Sequence, residues 1–265
     1  MSPYFTIFGR QIPYYGLLFM LGFFAGAVTA LPRGKKYGIK KLDVVLAACF
    51  AAVGGLAGAK LLSVLTSIEY IIEYNLSFID VMQNGFVFYG GLIGGVLGLF
   101  AYIKIYKINF FAMFDIFAVS VPLGHAIGRV GCFLSGCCFG IPYDGPLSYT
   151  YETSIDPNTP IGVPLLPVQL IESFCLLVLY AVLEVLFAKT SRRGISLVVY
   201  MAAYSVIRFT LEFFRGDIIR GFLFGLSTSQ WISLAIMLCA AALCFVIIKR
   251  HALRSGGDEV SGDNS

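Results

Sequence analysis

Charge is scarce in this chain. Only 13% of its 265 residues are Asp, Glu, Lys or Arg, while 58% are hydrophobic, a balance that would leave a water-soluble domain of this length with an apolar exterior. Histidine is scarcer still. His125 and His251 are the two present, and His251 lies in a polar C-terminal stretch, so any imidazole chemistry must rest on His125. Internal repeats are lacking, which argues against the repeat-built secondary transporters. The first apolar run has no basic segment before it and is followed by Leu31, Pro32 and Arg33 rather than small residues, so no cleavable signal peptide is expected and this run should remain in the protein.

What the chain does contain is long apolar runs. A helix crossing a bilayer needs about 20 mainly apolar residues, and no charge falls between Arg10 and Arg33. Further runs lie at 42–62, 86–103, 111–128, 167–187, 194–212 and 222–248. The fold class expected is therefore all-α: a polytopic membrane helical bundle of about seven spans, with a small extracytoplasmic head between spans 4 and 5. Residues 1–254 read as one integral membrane domain. The rest, 255–265, is short, polar and glycine-rich, and is expected to be a disordered tail.

The basic residues orient the spans. Of the 19 Lys and Arg, 13 fall on one side of this map: five between Arg33 and Lys41, then Lys104 and Lys107, then Lys189, Arg192 and Arg193, and finally Lys249, Arg250 and Arg254. Cytoplasmic loops carry that excess. The N-terminus is thus expected outside and the C-terminus in the cytoplasm. The net charge of +4 is this topological signal, and no nucleic-acid partner is expected.

A charge inside a span costs at least a few kcal/mol, so the residues that interrupt the runs point to chemistry. Arg129 follows the fourth run, Glu172 opens the fifth, Arg208 and Glu212 end the sixth, and Lys60 closes the second at the same level. On the sixth, Tyr204, Arg208 and Glu212 recur every four residues along one helix face, with Arg215 continuing the stripe. Two arginines against one acid leave positive charge uncompensated. Arginine presents a planar fork that fits phosphate, so a phospholipid headgroup is the expected anion. Structural pairing between helices is the alternative.

The longest connection follows the fourth run, and its glycines, Gly128, Gly131, Gly136 and Gly140, would let backbone approach a ligand or a neighbouring helix closely. It also holds Cys132, Cys137 and Cys138. Zinc sites usually pair cysteines two residues apart, and C-x4-C-C lacks that spacing, so these three are expected as small unreactive residues and no metal is expected. A metal site and a disulfide at Cys132 remain the alternatives. Cys49, Cys175, Cys239 and Cys244 lie in apolar runs and read as packing.

Taken together, PYYGLLFMLGF, GFVFYGGLIGG, DIFAVSVPLGHAIGRVGCF, PVQLIES and YSVIRFTLEFFR resemble, in this order along the chain, the prolipoprotein diacylglyceryl transferase family. The resemblance implies a seven-span enzyme of the bacterial cytoplasmic membrane, its site open to the outer leaflet. The activity implied is transfer of diacylglycerol from phosphatidylglycerol to the lipobox cysteine of prolipoprotein signal peptides, releasing glycerol 1-phosphate and forming a thioether. No cofactor is implied. The expected partners are phosphatidylglycerol, lipobox-bearing signal peptides and membrane lipid, and the chain is expected to act as a monomer. By this resemblance Arg129 binds phosphatidylglycerol, and Tyr204, Arg208 and Glu212 match the family set on the sixth span. Tyr15 matches the first-span tyrosine, Gly140 lies in the substrate-binding loop, and Glu172 is expected to pair with an arginine.

Three positions depart from the family pattern. Its third-span histidine is here Tyr89, the asparagine after its GR-x-G signature is Cys132, and an acidic residue further on is Cys137. The usual base is thus absent. His125 lies four residues before Arg129, so on a helix both share a face, and His125 is the expected base. Tyr89 is expected to donate a hydrogen bond, since a tyrosine titrates near about pH 10. Competing readings are a lipid binder with another acceptor or no catalysis, a small-molecule transporter for which Asp115 would be the main inner polar residue, and a redox or metal protein built on His125 and the three cysteines.

Overall fold

The computed structural model describes residues 3–7, 10–74, 77, 81, 85–217 and 221–261. Its elements in chain order begin with a hairpin, β1 (Tyr4–Ile7) and β2 (Arg10–Pro13), followed by helix α1 (Tyr14–Ala30) and a 3-10 turn (Leu31–Tyr37). Then come α2 (Lys41–Thr66), the short α3 (Ile68–Glu73), α4 (Phe88–Ile105) and α5 (Phe110–Ser135). The hairpin β3 (Tyr149–Thr150) with β4 (Pro164–Leu165) precedes α6 (Val168–Lys189) and α7 (Ile195–Glu212). A last hairpin, β5 (Phe222–Leu223) with β6 (Leu226–Ser227), leads into α8 (Thr228–Ser261).

Among the described residues 7 helices are long and apolar enough to cross a membrane, so the all-α, seven-span class is found. Met20 is 72% exposed, Phe174 67% and Leu238 71%. Large apolar side chains turned outward in such numbers are what lipid as solvent requires. The boundaries differ from expectation at three places. Residues 10–13 and 222–227 are hairpin strands rather than the starts of spans. The fourth helix continues to Ser135, so Arg129 sits inside it rather than after it; Gly128 and Gly131, which read as loop residues, are helical. The last helix continues through Ser261, so residues 255–261, expected as a disordered tail, are helical here. Arg220, the side chains of Arg10, Arg250, His251 and Arg254, and residues 262–265 lie outside the description.

Two compact units make up the chain, one of Met1–Val28 with Phe114–Ser265 and one of Thr29–Met113. In the second unit α2 lies along α4. A Cβ placed on Gly58 would strike the carbonyl oxygen of Gly90, and one on Gly94 that of Gly54. Only glycine allows that approach, the small-residue packing by which helices associate when lipid removes the hydrophobic drive. Asp43 accepts a hydrogen bond from Tyr102 at 2.9 Å at one end of the pair. Lys60, expected at the level of the other interrupting charges, lies within α2 and donates to the carbonyls of Val81 and Gly85.

In the first unit, Gly22 of α1 meets Gly124 of α5 backbone to backbone. Asp115, fully buried on α5, accepts from the amides of Gly194 and Leu197 at 2.6 and 2.9 Å. It thereby satisfies two of the free donors at the α7 N-terminus. The residue that a transport path would have needed is instead a structural clamp. Between α5 and α6 the head is ordered by main-chain bonds: Ile141 N donates to Phe214 O, Gly216 N to Phe139 O and Leu166 N to Ile141 O. Phe139, Tyr151 and Leu165 form its small apolar centre.

Candidate active site

Three helices of the first unit bring the expected charged residues together. His125, Arg129 and Cys132 follow one another at four and three residues on α5, and therefore share a face. Ser173 of α6 donates to the carbonyl of Ala126 at 2.9 Å, which ties α6 to that face and sets its neighbour Glu172 against it. On α7 the rings of Tyr200 and Tyr204 stack at 6.0 Å, and Tyr204 packs edge-on to His125 at 5.3 Å.

Glu172 is the hub. It is 0% exposed, a position no carboxylate holds without partners. Arg129 Nη2 reaches its Oε2 at 2.6 Å, His125 Nε2 lies 3.7 Å from its Oε1, and the Tyr204 hydroxyl donates to Oε1 at 3.4 Å. The expected pairing of Glu172 with an arginine is observed. One turn along, Arg208 pairs with Glu212 at 2.6 Å and donates to Ser229 at 3.1 Å, while Ser227 donates to Glu212 at 2.8 Å. Arg215 forks onto Asp217 at 2.9 and 2.6 Å. Arg129, Arg208 and Arg215 thus each have an acid.

This corrects the expectation of uncompensated positive charge. Counting along the α7 stripe alone left out Glu172, which is contributed from α6, and Asp217, two residues beyond Arg215. What the arginines retain is donor capacity. Among the described residues, neither Arg129 Nε nor Arg208 Nη1 has a hydrogen-bond acceptor, although both residues are only 9% exposed. A buried guanidinium N–H without an acceptor costs about 1–3 kcal/mol or more, and a phosphate oxygen would relieve it.

The other expected residues are placed as follows. The Tyr15 amide donates to the Ser135 hydroxyl at 3.1 Å at the C-terminal end of α5, and Tyr15 is 39% exposed. Gly140 bridges backbone to Arg215, and a Cβ there would strike Leu166 and Val168, so its role in the structure is close packing of the head. Tyr89 lies in the first turn of α4, in the other unit. Ser227, Ser229 and Asp217 were missed. Asp217 was signalled by its place two residues after Arg215, whereas the serines arrive from α8 and the hairpin before it with no local signal.

At the end of α5 and in the loop just after it, the sulfurs of Cys132, Cys137 and Cys138 lie within 4.8 Å of one another. Arg129 Nη1 is 4.0 Å from that of Cys132. Thiol hydrogen bonds from Cys132 and Cys137, aided by the charges of Arg215 and Arg129, push the Cys138 thiol down from its ordinary value. The neighbouring thiols push Cys137 up. All three are unbridged.

The family model described as prolipoprotein diacylglyceryl transferase matches residues 3–246. The chain is 36% identical over 230 residues to the phosphatidylglycerol–prolipoprotein diacylglyceryl transferase of Clostridium tetani, covering 87% of this chain and 91% of that one. It is 32% identical to the second such enzyme of Clostridium perfringens over 96% of this chain and 97% of that one. The chain belongs to the prolipoprotein diacylglyceryl transferase family. It is a multi-pass membrane transferase, and the cluster around Glu172 is built from three of the stretches that carried the resemblance, the third, the fourth and, through Tyr204, the fifth. The cysteines fall within the same matched span.

Proposed function

We propose that this transferase moves the diacylglyceryl group of phosphatidylglycerol onto the sulfur of the lipobox cysteine in prolipoprotein signal peptides. The reaction takes place in the bacterial cytoplasmic membrane, with the N-terminus outside, the C-terminus in the cytoplasm, and the site toward the outer leaflet. The observation that carries the reading is the pair of buried arginines, Arg129 and Arg208, each held by one carboxylate and each with an N–H unspent.

The acceptor S–H loses its proton, the sulfur bonds to the glyceryl carbon, and the bond from that carbon to the phosphate oxygen breaks, with glycerol 1-phosphate leaving with the electron pair. The leaving phosphate develops charge, and arginines fixed in a dry site stabilise it without reorganising. Arg129 and Arg208 have this role, Arg208 being positioned by Glu212 and Ser229. His125 is the base that takes the thiol proton, with Glu172 facing the imidazole at 3.7 Å. Tyr15 donates a hydrogen bond to the phosphate or glycerol, Tyr204 holds Glu172 and packs against His125, and Gly140 belongs to the head that receives the peptide. The enzyme acts as a monomer surrounded by membrane lipid.

The test is complementation. With the host's own transferase depleted, expression of this chain is expected to add a diacylglyceryl mass to a lipobox cysteine, and Arg129→Ala is expected to abolish the addition. A membrane-inserted, correctly folded chain that leaves the cysteine unmodified would overturn the reading.

A further inference from the structure

The sulfurs of Cys132, Cys137 and Cys138 converge on one another rather than on apolar neighbours, within 4.8 Å. Sequence spacing concealed this, because C-x4-C-C matches no common zinc pattern. The local backbone explains it. Cys132 lies in the last turn of α5, and Gly136, at φ 79°, reverses the chain so that Cys137 N donates back to Cys132 O at 3.2 Å. Adjacent residues in extended chain face opposite ways. Cys138 instead adopts φ 58°, a left-handed conformation that non-glycine residues rarely hold, and its sulfur turns to the same side as that of Cys137. Gln169 fixes the loop by donating to Cys137 O at 2.7 Å. Cys132 is buried and the other two are half-buried.

We propose that these three cysteines form a binding site for a thiophilic divalent cation, zinc, whose fourth position is open to the acceptor thiol. Three thiolates around tetrahedral zinc, at about 2.3 Å each, stand about 3.8 Å apart, so the cluster must contract by about 1 Å at most. Three thiolates on one divalent ion leave a single net negative charge, and the Arg129 guanidinium, shared with Glu172, faces it 4.0 Å from the Cys132 sulfur. Three protein ligands with one open place is the arrangement of catalytic rather than structural zinc.

A thiol that takes the fourth position is held as thiolate. Its S–H bond breaks, a sulfur–metal bond forms, and the proton passes through water to His125. That acts on the same sulfur His125 is proposed to deprotonate, in a protein whose third-span position carries Tyr89 rather than histidine. The metal site stands on the cluster alone, whereas the use of its open position rests on the transferase reading.

Cobalt reports both parts. The purified full-length protein, reduced and kept in detergent, would be titrated with Co2+. One equivalent is expected to give a near-ultraviolet sulfur-to-cobalt band with the intense visible bands of a four-coordinate ion, displaced by one equivalent of Zn2+. Single Cys→Ser changes at 132, 137 or 138 should weaken cobalt binding at least about tenfold, while serines at Cys49, Cys175, Cys239 and Cys244 leave it unchanged. No sulfur-to-cobalt band in the reduced wild-type protein overturns the site, and that measurement needs no variant. A band that survives serine at all three positions overturns it as well.

A short single-cysteine peptide carrying a lipobox should then shift the visible bands, and no shift overturns the open position. Complementation fails or succeeds separately: a cobalt-binding protein without transfer overturns the transferase reading alone, and transfer without cobalt binding overturns the metal site alone.

Discussion

Where α2 lies against α4, glycines let two backbones touch; where α5, α6 and α7 surround Glu172, the helices are joined instead by an acid, arginines and hydroxyls. Both seams answer the same difficulty, that apolar side chains gain nothing by leaving lipid for one another. The glycine seam relies on shape and tolerates no added atom. The polar seam relies on complementary charge and tolerates no missing partner. Only the second leaves donor groups that a ligand can use, which is why the interrupting charges, and not the small residues, mark the place of chemistry.

The sharpest way to break this contrast is Arg129→Ala. It strands a fully buried carboxylate, so stability should fall by about 3–5 kcal/mol and transfer should be lost. Adding Glu172→Gln should recover most of the stability, measured by thermal unfolding in detergent, but none of the transfer. Recovery of both would reduce Arg129 to a structural brace. His125→Gln comes next: it removes the proposed base but no charge partner that Glu172 needs, so transfer should drop at least about 100-fold with the unfolding temperature little changed.

On the glycine side, Gly94→Val forces a Cβ and two methyls onto the Gly54 carbonyl, and unfolding should show a loss of about 1–3 kcal/mol. A neutral result would mean the α2–α4 contact gives way easily. The smallest effect expected is Tyr204→Phe, which removes one long hydrogen bond to Glu172 and should cost about 1 kcal/mol or less in stability. A much larger loss of transfer than of stability would place that hydroxyl on the substrate.

Much of this was legible from residue order. The apolar runs announced seven spans because lipid imposes length and hydrophobicity on each crossing separately, a one-dimensional constraint. His125 and Arg129 could be set on one face because helical periodicity is equally local. Arg129 was nonetheless read as lying past its span, since Gly128 and Gly131 resemble a loop when their helical context is not visible. The partners were harder. Glu172 could be assigned an arginine but not which one, and the compensation of Arg215 by Asp217 falls off the four-residue stripe, two residues further on. Ser227 and Ser229 reach the cluster only through tertiary folding. For Cys132, Cys137 and Cys138, spacing argued against convergence, and two left-handed backbone positions, Gly136 and Cys138, reversed that argument.

The head between α5 and α6 is stitched to the segment just past α7 by two main-chain hydrogen bonds, Ile141 N to Phe214 O and Gly216 N to Phe139 O. A hinged cover would have to tear that seam on every turnover, exposing amides and carbonyls with no replacement partners. The head is better understood as a fixed porch than as a door. An engineered disulfide that staples residues 141 and 214 together should therefore leave the rate of turnover intact.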